Sequence, residues 1–407
     1  MARRTVIIGA GQAGRRCAEA LRELDAEAEI LLLGEEAHAP YDRPPLSKAV
    51  LLGADTGRSL FVRDPAFYAE RRIALRTGTR VSAIDVAGRA AVTEAGERIG
   101  WDHLVLATGA RARRLPVPGA GDPRVLTLRT LGDAERLREA LGARPRLVVI
   151  GGGLIGLEVA ASARQLGCAV TVIEAADRLM ARCVPPPISA MAAALHEAHG
   201  VTLRLGTAVR AIRDGGACMQ VETDAGPSVE ADLVVAGIGG VPETALAEAA
   251  GLAVRDGILT DGQGRTSAPG VFAAGEVARF PHPFWGGRPM RLEAWQVAQN
   301  QPAAVARAIC GRDDAAPYDE IPWHWTDQFD WNLQVLGDPD PSFTLVQRPS
   351  EDGRLTAIAL DAAGRARGAV LINNGREATP CRRLIAGGKA LDAAALADPA
   401  VPLRSFL

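Results

Sequence analysis

The chain has 407 residues, 48% of them apolar, with 46 basic and 48 acidic side chains and a net charge of −2. That length predicts two or three domains, and the apolar share excludes a disordered chain. The near-zero charge points to neither nucleic acid nor a membrane surface, and no apolar run reaches the roughly 18 residues of a membrane span.

The first strand follows Met1–Arg4 directly, leaving no room for a signal peptide, so a cytoplasmic location is expected. Thr5-Val-Ile-Ile leads into Gly9, Gly11 and Gly14 in G-x-G-x-x-G spacing, then a helical stretch, a second apolar strand at 30–33, and Gly34-Glu35. Strand, glycine turn, helix, strand and acidic residue in that order predict a dinucleotide site. Residues 39–48 carry three prolines, which forbid a helix before Leu46. Arg43 and Lys48 there are either cations of an ordinary polar loop or cations beside a flavin. Residues 73–85 and 90–106 read as short strands of an antiparallel excursion. The last ends in Ala107-Thr108-Gly109, small residues that permit close approach of a ligand. Pro116, Pro118 and Gly119 form a breaker cluster where a domain crossing is expected, and a helix is expected at 133–141.

The first pattern then repeats. Residues 147–150 are a strand buried on both faces, followed by Gly151, Gly153 and Gly156, a helix at 154–165, and a strand at 170–173 ending in Glu174. The first glycine allows the tight turn, the second lets a pyrophosphate approach the helix start, and the third lets helix and strand pack closely. Glu174 can accept hydrogen bonds from a ribose diol. Two such sites on one chain imply two dinucleotides in exchange, a flavin and a nicotinamide. Arg178 and Arg182 follow, either able to reach a phosphate. A helix is expected at 191–198, and strands at 201–209, 218–223 and 229–235. Residues 267–276 read as a buried strand ending in Gly275-Glu276, and 292–309 as a helix. Five of the six tryptophans fall between Trp285 and Trp331. Trp323 and Trp325 share a face if they lie on a strand, as core packing or as an interface. Strands at 333–336, 343–347, 355–360 and 369–373 and a last helix at 382–395 complete a small α+β domain.

The six cysteines are scattered without a C-x-x-C pair, so they read as reduced thiols rather than a disulfide frame or metal site. His196 and His199 read as a solvated helix face. No cysteine lies between Cys17 and Cys168, where a disulfide reductase or a one-cysteine NADH oxidase of this general plan would need one.

Taken together, residues 41–48, 107–109, 128–133, 149–180, 266–275 and 322–328 resemble the oxygenase-coupled, NADH-dependent ferredoxin reductases. These are the FAD-containing components of biphenyl- and toluene-type dioxygenases and of the putidaredoxin system. The resemblance implies an α/β fold of glutathione-reductase type: two Rossmann-like dinucleotide-binding domains plus a C-terminal α+β domain also seen in apoptosis-inducing factor. The implied division is FAD-binding at 1–110 and 233–316, NAD-binding at 111–232, and the C-terminal domain at 317–407. It implies FAD contacts from Gly9, Gly11, Ala13, Gly14, Glu35, Arg43, Lys48, Val81, Ala107, Thr108, Gly109, Arg129, Gly275, Glu276, Glu293 and Trp295. Gly151, Gly153, Leu154, Ile155, Gly156, Glu174, Arg182, Ile238 and Gly239 would line the NADH site. Lys48 would sit near the flavin N5 and pair with Glu158 as the catalytic couple. The family usually has Gly-Asp where this chain has Gly275-Glu276. The implied partner is a small [2Fe–2S] ferredoxin serving a ring hydroxylase or a cytochrome P450, with the reductase a monomer or homodimer. A flavoprotein acting as a redox-signalling module, like apoptosis-inducing factor, is the alternative.

Overall fold

A computed structural model describes residues 3–54, 60–312, 316–350 and 352–407. They form two compact units: Met1–Asp42, Gly57–Arg111 and Val241–Glu320 in the first, Arg43–Thr56, Ala112–Gly240 and Ile321–Leu407 in the second.

The first unit is built on a five-stranded parallel sheet. Its order is Val271–Ala273, His103–Leu106, Arg4–Ile8, Glu29–Leu33, Ile73–Arg76. Val6, Ile7, Leu32, Leu104 and Leu106 are fully buried, because helices and other strands cover both faces of such a sheet. Each such side chain contributes about 1.5–3 kcal/mol. The helix Gln12–Leu24 packs along the helix Trp295–Ile309. Residues 73–85 and 90–106 were expected as short strands of an antiparallel excursion, but His103–Leu106 is a parallel strand of this sheet. Ile73–Arg76 joins the parallel sheet as well, and only Val81–Asp85 turns antiparallel, against Ala90–Thr93 and Arg98–Gly100. The left-handed Gly78 (φ 60°) lies between the two strands.

The second unit repeats the plan with the parallel order Val201–Arg204, Ala169–Ile173, Arg146–Ile150, Leu233–Ala236, Val125–Leu126. The expected single strand at 201–209 is two. The left-handed Gly206 (φ 60°) lies between Val201–Arg204 of this sheet and Val209–Asp214, which pairs antiparallel with Met219–Thr223. The helix Leu131–Leu141 opens on a capping box between Thr130 and Asp133. The chain leaves the first unit after Arg111, ahead of the Pro116–Gly119 cluster, which packs inside the second unit. A Cβ on Gly119 (φ 82°) would collide with the Ile212 carbonyl.

The end of the second unit is a five-stranded antiparallel sheet ordered Trp323–Gln328, Trp331–Gly337, Ala366–Ile372, Leu355–Leu360, Thr344–Pro349. The last helix, expected as one at 382–395, is Ala378–Gly387 and Ala393–Ala397. It breaks at Gly388, whose left-handed φ of 59° ends the first helix.

Candidate functional site

The two glycine turns have matching geometry. Gly9 (φ 111°) and Gly151 (φ 109°) hold conformations closed to other residues, and a Cβ on them would strike the carbonyls of Ala107 and Gly237. A Cβ on Gly14 or Gly156 would collide with the carbonyl of Gly9 or Gly151, so the third glycine is required by helix–strand contact. The middle glycines differ. Gly11 and Gly153 have nothing within 4 Å of a Cβ position, and each is an N-cap with no side-chain hydrogen bond to the helix. Each turn therefore presents a helix start with open space before it and no internal acceptor on its first N–H groups, which fits a pyrophosphate. Beside the second turn, Leu154 is partly exposed and Ile155 is 47% exposed, an uncovered apolar side chain at the helix start.

The acidic residues at the strand ends are placed differently. Glu174 accepts from the N–H of Gly152 at 2.6 Å and of Ala176 at 2.7 Å, so its carboxylate straps the second glycine turn to its strand. Glu35 faces Arg80 at 3.3 Å on the surface. Arg178 does not serve as a free phosphate ligand. Its guanidinium donates to the carbonyls of Val184 and Ala181 and to Ser189 Oγ, which pins the following loop. Arg182 is exposed. Ile238 and Gly239 (φ 98°) follow Gly237, the residue against which Gly151 is packed.

In the first unit, Ala13 lies under Gly275, where a Cβ would come within 2.6 Å of the Ala13 methyl. The Gly275 N–H donates to Gln301 Oε1 at 2.9 Å, fixing the short 3-10 turn that carries the partly buried Glu276. Thr108 Oγ1 donates to the Glu243 carbonyl at 2.7 Å, and Gly109 is left-handed at φ 68°. Trp295 Nε1 donates to Asp42 at 3.0 Å, Val81 is buried, and Glu293 pairs with Arg291 at 2.7 Å.

Arg43, Lys48 and Arg129 belong to the second unit, where Arg43 donates to the Arg129 carbonyl at 2.6 Å. Glu158, on the helix Leu154–Gln165, is 5% exposed and ringed by donors. Lys48 Nζ stands at 3.3 Å, Thr326 Oγ1 at 2.7 Å and the Asp327 N–H at 3.3 Å, while Ser47 Oγ bonds the other oxygen. Burial pushes the Glu158 carboxyl above its ordinary value, opposed first by the Lys48 ammonium and then by the hydroxyl donors. Lys48 also reaches Asp327 Oδ2 at 2.9 Å and lies 5.8 Å from the Trp325 ring centre. Trp323 and Trp325 stack at 4.8 Å and 21°, both partly exposed.

Asp327, Thr326 and Ser47 were not assigned roles from sequence. Ser47 adjoins Lys48, and the other two lie in the 322–328 stretch already singled out, so their neighbourhood was visible but their contacts were not. His196 corrects the expectation of a solvated pair. It is wholly buried and hydrogen-bonded to Gln328 at 2.9 Å, whereas His199 is exposed. Among the described residues no acidic, histidine and cysteine group is placed to hold a metal, no helix is long and apolar enough to cross a membrane, and none of the six cysteines is in a disulfide.

Comparison with known proteins accords with this geometry. Residues 3–302 match the pyridine nucleotide-disulphide oxidoreductase family, and residues 323–407 match the reductase C-terminal family. The ferredoxin–NAD(+) reductase component of the anthranilate 1,2-dioxygenase system of Burkholderia cepacia is 48% identical over 99% of this chain and 98% of its own. The crystal structure of the ferredoxin reductase for the CYP199A2 system from Rhodopseudomonas palustris superposes with a TM-score of 0.94 at 38% identity, covering 99% of both chains. Putidaredoxin reductase in its covalent complex with putidaredoxin superposes with a TM-score of 0.93 at 37% identity, covering 99% of this chain and 98% of that one.

Proposed function

The chain belongs to the pyridine nucleotide-disulphide oxidoreductase family, and from that premise we propose that it is an FAD-dependent NADH:ferredoxin oxidoreductase. It passes electrons to a small [2Fe–2S] ferredoxin that serves a ring-hydroxylating oxygenase or a cytochrome P450, and it works in the cytoplasm. The observation that carries this reading is the pair of uncapped glycine turns together with a buried Glu158 paired to the partly exposed Lys48, which no cysteine accompanies. Bound FAD supplies acceptance of a hydride from NADH and its release as single electrons.

The chain's residues then divide the work. Gly9, Gly11 and Gly14 present helix-start N–H groups to the FAD pyrophosphate, and Gly151, Gly153 and Gly156 do the same for NADH. Glu35 and Glu174 accept from the two adenosine riboses. Lys48 would supply the flavin with a cation, favouring the electron-rich ring. Glu158 would orient that cation. Ala13, Val81, the 107–109 turn, Gly275, Glu276, Glu293 and Trp295, and from the second unit Arg43 and Arg129, would serve to hold the flavin, and Leu154, Ile155, Arg182, Ile238 and Gly239 the nicotinamide nucleotide. The segments 1–110 with 233–316, 111–232 and 317–407 serve as the FAD, NAD and C-terminal domains.

The test is NADH-driven cytochrome c reduction by the FAD-loaded protein with and without a [2Fe–2S] ferredoxin from such a system. Rapid reduction only when the ferredoxin is present is expected. Equal rates without it would favour a flavoprotein with a signalling or interaction role.

A further inference from the structure

A line of buried hydrogen bonds runs into Glu158 from a helix that the proposed chemistry does not use. His196, on the helix Pro186–Ala198, is completely buried, as is Thr326, and Gln328 and Glu158 are 2% and 5% exposed. His196 Nε2 lies 2.9 Å from Gln328 Oε1, Gln328 Nε2 lies 3.1 Å from Thr326 Oγ1, and Thr326 Oγ1 lies 2.7 Å from Glu158 Oε1.

The direction of every bond follows from the chemistry at the two ends. Three other donors, Ser47 Oγ, Lys48 Nζ and the Asp327 N–H, converge on the Glu158 carboxyl. Thr326 has one proton, and giving it to Glu158 leaves its oxygen to accept from Gln328. Gln328 must therefore turn its NH₂ toward Thr326, where the same group also meets the Met180 sulfur at 3.7 Å. Its carbonyl then faces His196, which must carry its proton on Nε2. The opposite amide orientation would take the Thr326 proton and leave two oxygens facing each other beside Glu158. His196 Nδ1 is buried without a partner, as an acceptor nitrogen of that neutral tautomer can be. Burial holds the His196 ring below the ordinary histidine value, consistent with neutrality.

The turn after Gln328 is clasped by the same helix. Phe329 holds a left-handed φ of 55°, which a bulky residue adopts only when its surroundings impose it. His199 stacks on its ring at 3.8 Å and 12°, and His196 meets it edge-on at 5.1 Å. Helix and hairpin turn are thus locked by one hydrogen bond and two ring contacts.

We infer that His196 is a positioning residue for the hydride step. Through Gln328 and Thr326 it keeps one hydroxyl donor aimed at Glu158, and thereby fixes where Glu158 holds Lys48. The inference rests on the proposed role of the Lys48–Glu158 pair.

The experiment has two readouts on the FAD-loaded protein. In ¹⁵N-histidine NMR, His196 is expected as the neutral Nε2–H tautomer, and Glu158→Gln is expected to shift its nitrogen resonances. An Nδ1–H tautomer, or no response to Glu158→Gln, overturns the inference. In stopped-flow reduction of the flavin by NADH, His196→Phe keeps the ring contacts and removes the donor. It is expected to slow the limiting rate about fivefold to tenfold without changing the Kd for NADH, and His196→Gln, which keeps an N–H, to restore it within about twofold. Thr326→Val is expected to slow the step by a similar factor, and the double variant no further. An unchanged rate in His196→Phe, or factors that multiply in the double variant, overturns the inference. If His196→Phe does not fold, Gln328→Met breaks the same line and carries the same two outcomes. Glu158→Gln alone separates the levels. If it leaves flavin reduction unchanged, the proposed role of the pair fails. If it slows reduction while the His196 and Thr326 variants do not, only the relay fails.

Discussion

Lys48 reaches Asp327 at 2.9 Å, closer than the 3.3 Å that separates it from Glu158. The two contacts differ in environment more than in distance. The Glu158 side chain is 6% exposed and that of Asp327 43%. An exposed partner contributes at most about 1 kcal/mol, because water and salt screen it. A buried carboxylate stripped of its cation loses roughly 3 kcal/mol or more, since its desolvation is no longer offset. Asp327→Asn is therefore expected to lower unfolding free energy by less than about 1 kcal/mol, and Lys48→Met by about 3 kcal/mol. Urea titrations of the two FAD-loaded variants decide it. Equal losses would mean that Asp327, not Glu158, is the partner that matters for folding.

The second prediction concerns acid. His324 lies between the two stacked tryptophans in sequence, its Nε2 is shut off from solvent without a partner, and burial lowers its pKa to about 4. Between about pH 6.5 and pH 4 the unfolded chain thus binds a proton that the folded chain does not. Stability is fully present above the unfolded value, falls as pH drops through this window, and levels off below it. The residue as a whole is partly exposed, so the contribution is discounted to about 2 kcal/mol. His103, His196 and His282 are lowered by burial too, with the same sign. His324→Leu should therefore reduce, not abolish, the difference in unfolding free energy between pH 7.5 and pH 4.5. An unchanged difference would show that this ring takes up its proton in the folded state.

How far these features could be read from sequence depends on how local they are. The glycine turns and Glu174 were legible because a strand, a turn and a helix start are set by consecutive residues. The tryptophan pair followed from strand alternation alone. Lys48 with Glu158 came only through the family resemblance, since over a hundred residues separate them. Thr326 and Asp327 meet Glu158 across still longer separations, with Gln328 behind Thr326, and nothing periodic marks them. His196 was misread because its helix is rich in alanine, so apolar spacing does not distinguish the buried face from the wet one. Gly206 broke an expected strand because a β-branched run reads through a single glycine unless its left-handed backbone is known.

Nucleotide choice is the third prediction. Glu174 is held by the N–H groups of Gly152 and Ala176, so its charge stays beside the second glycine turn, where it repels a 2′-phosphate. Arg178, the nearer arginine in sequence, is spent on carbonyls of its own loop and cannot compensate. NADH is expected to exceed NADPH by at least tenfold in kcat/KM, about 1.4 kcal/mol, and Glu174→Ala to narrow that ratio. Steady-state assays showing equal efficiency in the native protein would defeat the reading.

Docking of the ferredoxin is the fourth. Trp323 and Trp325 stack, both partly exposed, on the first strand of the C-terminal sheet, with Lys48 beside Trp325. An acidic ferredoxin steered by exposed arginines toward this face would dock more slowly as salt rises. Ferredoxin-dependent turnover is expected to fall several-fold between about 50 and 500 mM salt, beyond the reach of surface charges once the Debye length shrinks to a few ångströms. Trp325→Ala is expected to raise the KM for ferredoxin with flavin reduction by NADH unchanged. A flat salt profile would remove the electrostatic part, and normal ferredoxin kinetics in Trp325→Ala would return that ring to packing.

The last prediction turns on Glu276, where the resemblance to the ferredoxin reductases leads one to expect aspartate. The backbone before it leaves no slack: Gly275 is left-handed, its N–H is tied to Gln301, and its Cα faces the Ala13 methyl so closely that no side chain fits. The turn therefore starts Glu276 from a fixed point. A shorter carboxylate from that point would meet a ribityl hydroxyl directly, whereas the extra methylene of glutamate must fold back or bridge through water. A hydrogen bond to a charged group contributes about 1.5–3 kcal/mol, and keeping the charge while losing the best geometry should forfeit only a fraction of it. Glu276→Asp is expected to tighten FAD binding by a few-fold, and Glu276→Ala to weaken it below the native protein, because the acceptor is then gone. Because Gly275 and Gln301 are unchanged in both, neither variant should alter the fold, which circular dichroism checks. Flavin dissociation constants of the three proteins give the answer. If Glu276→Asp binds FAD no more tightly than the native chain, the pocket has adapted to glutamate and the departure from the family pattern costs nothing.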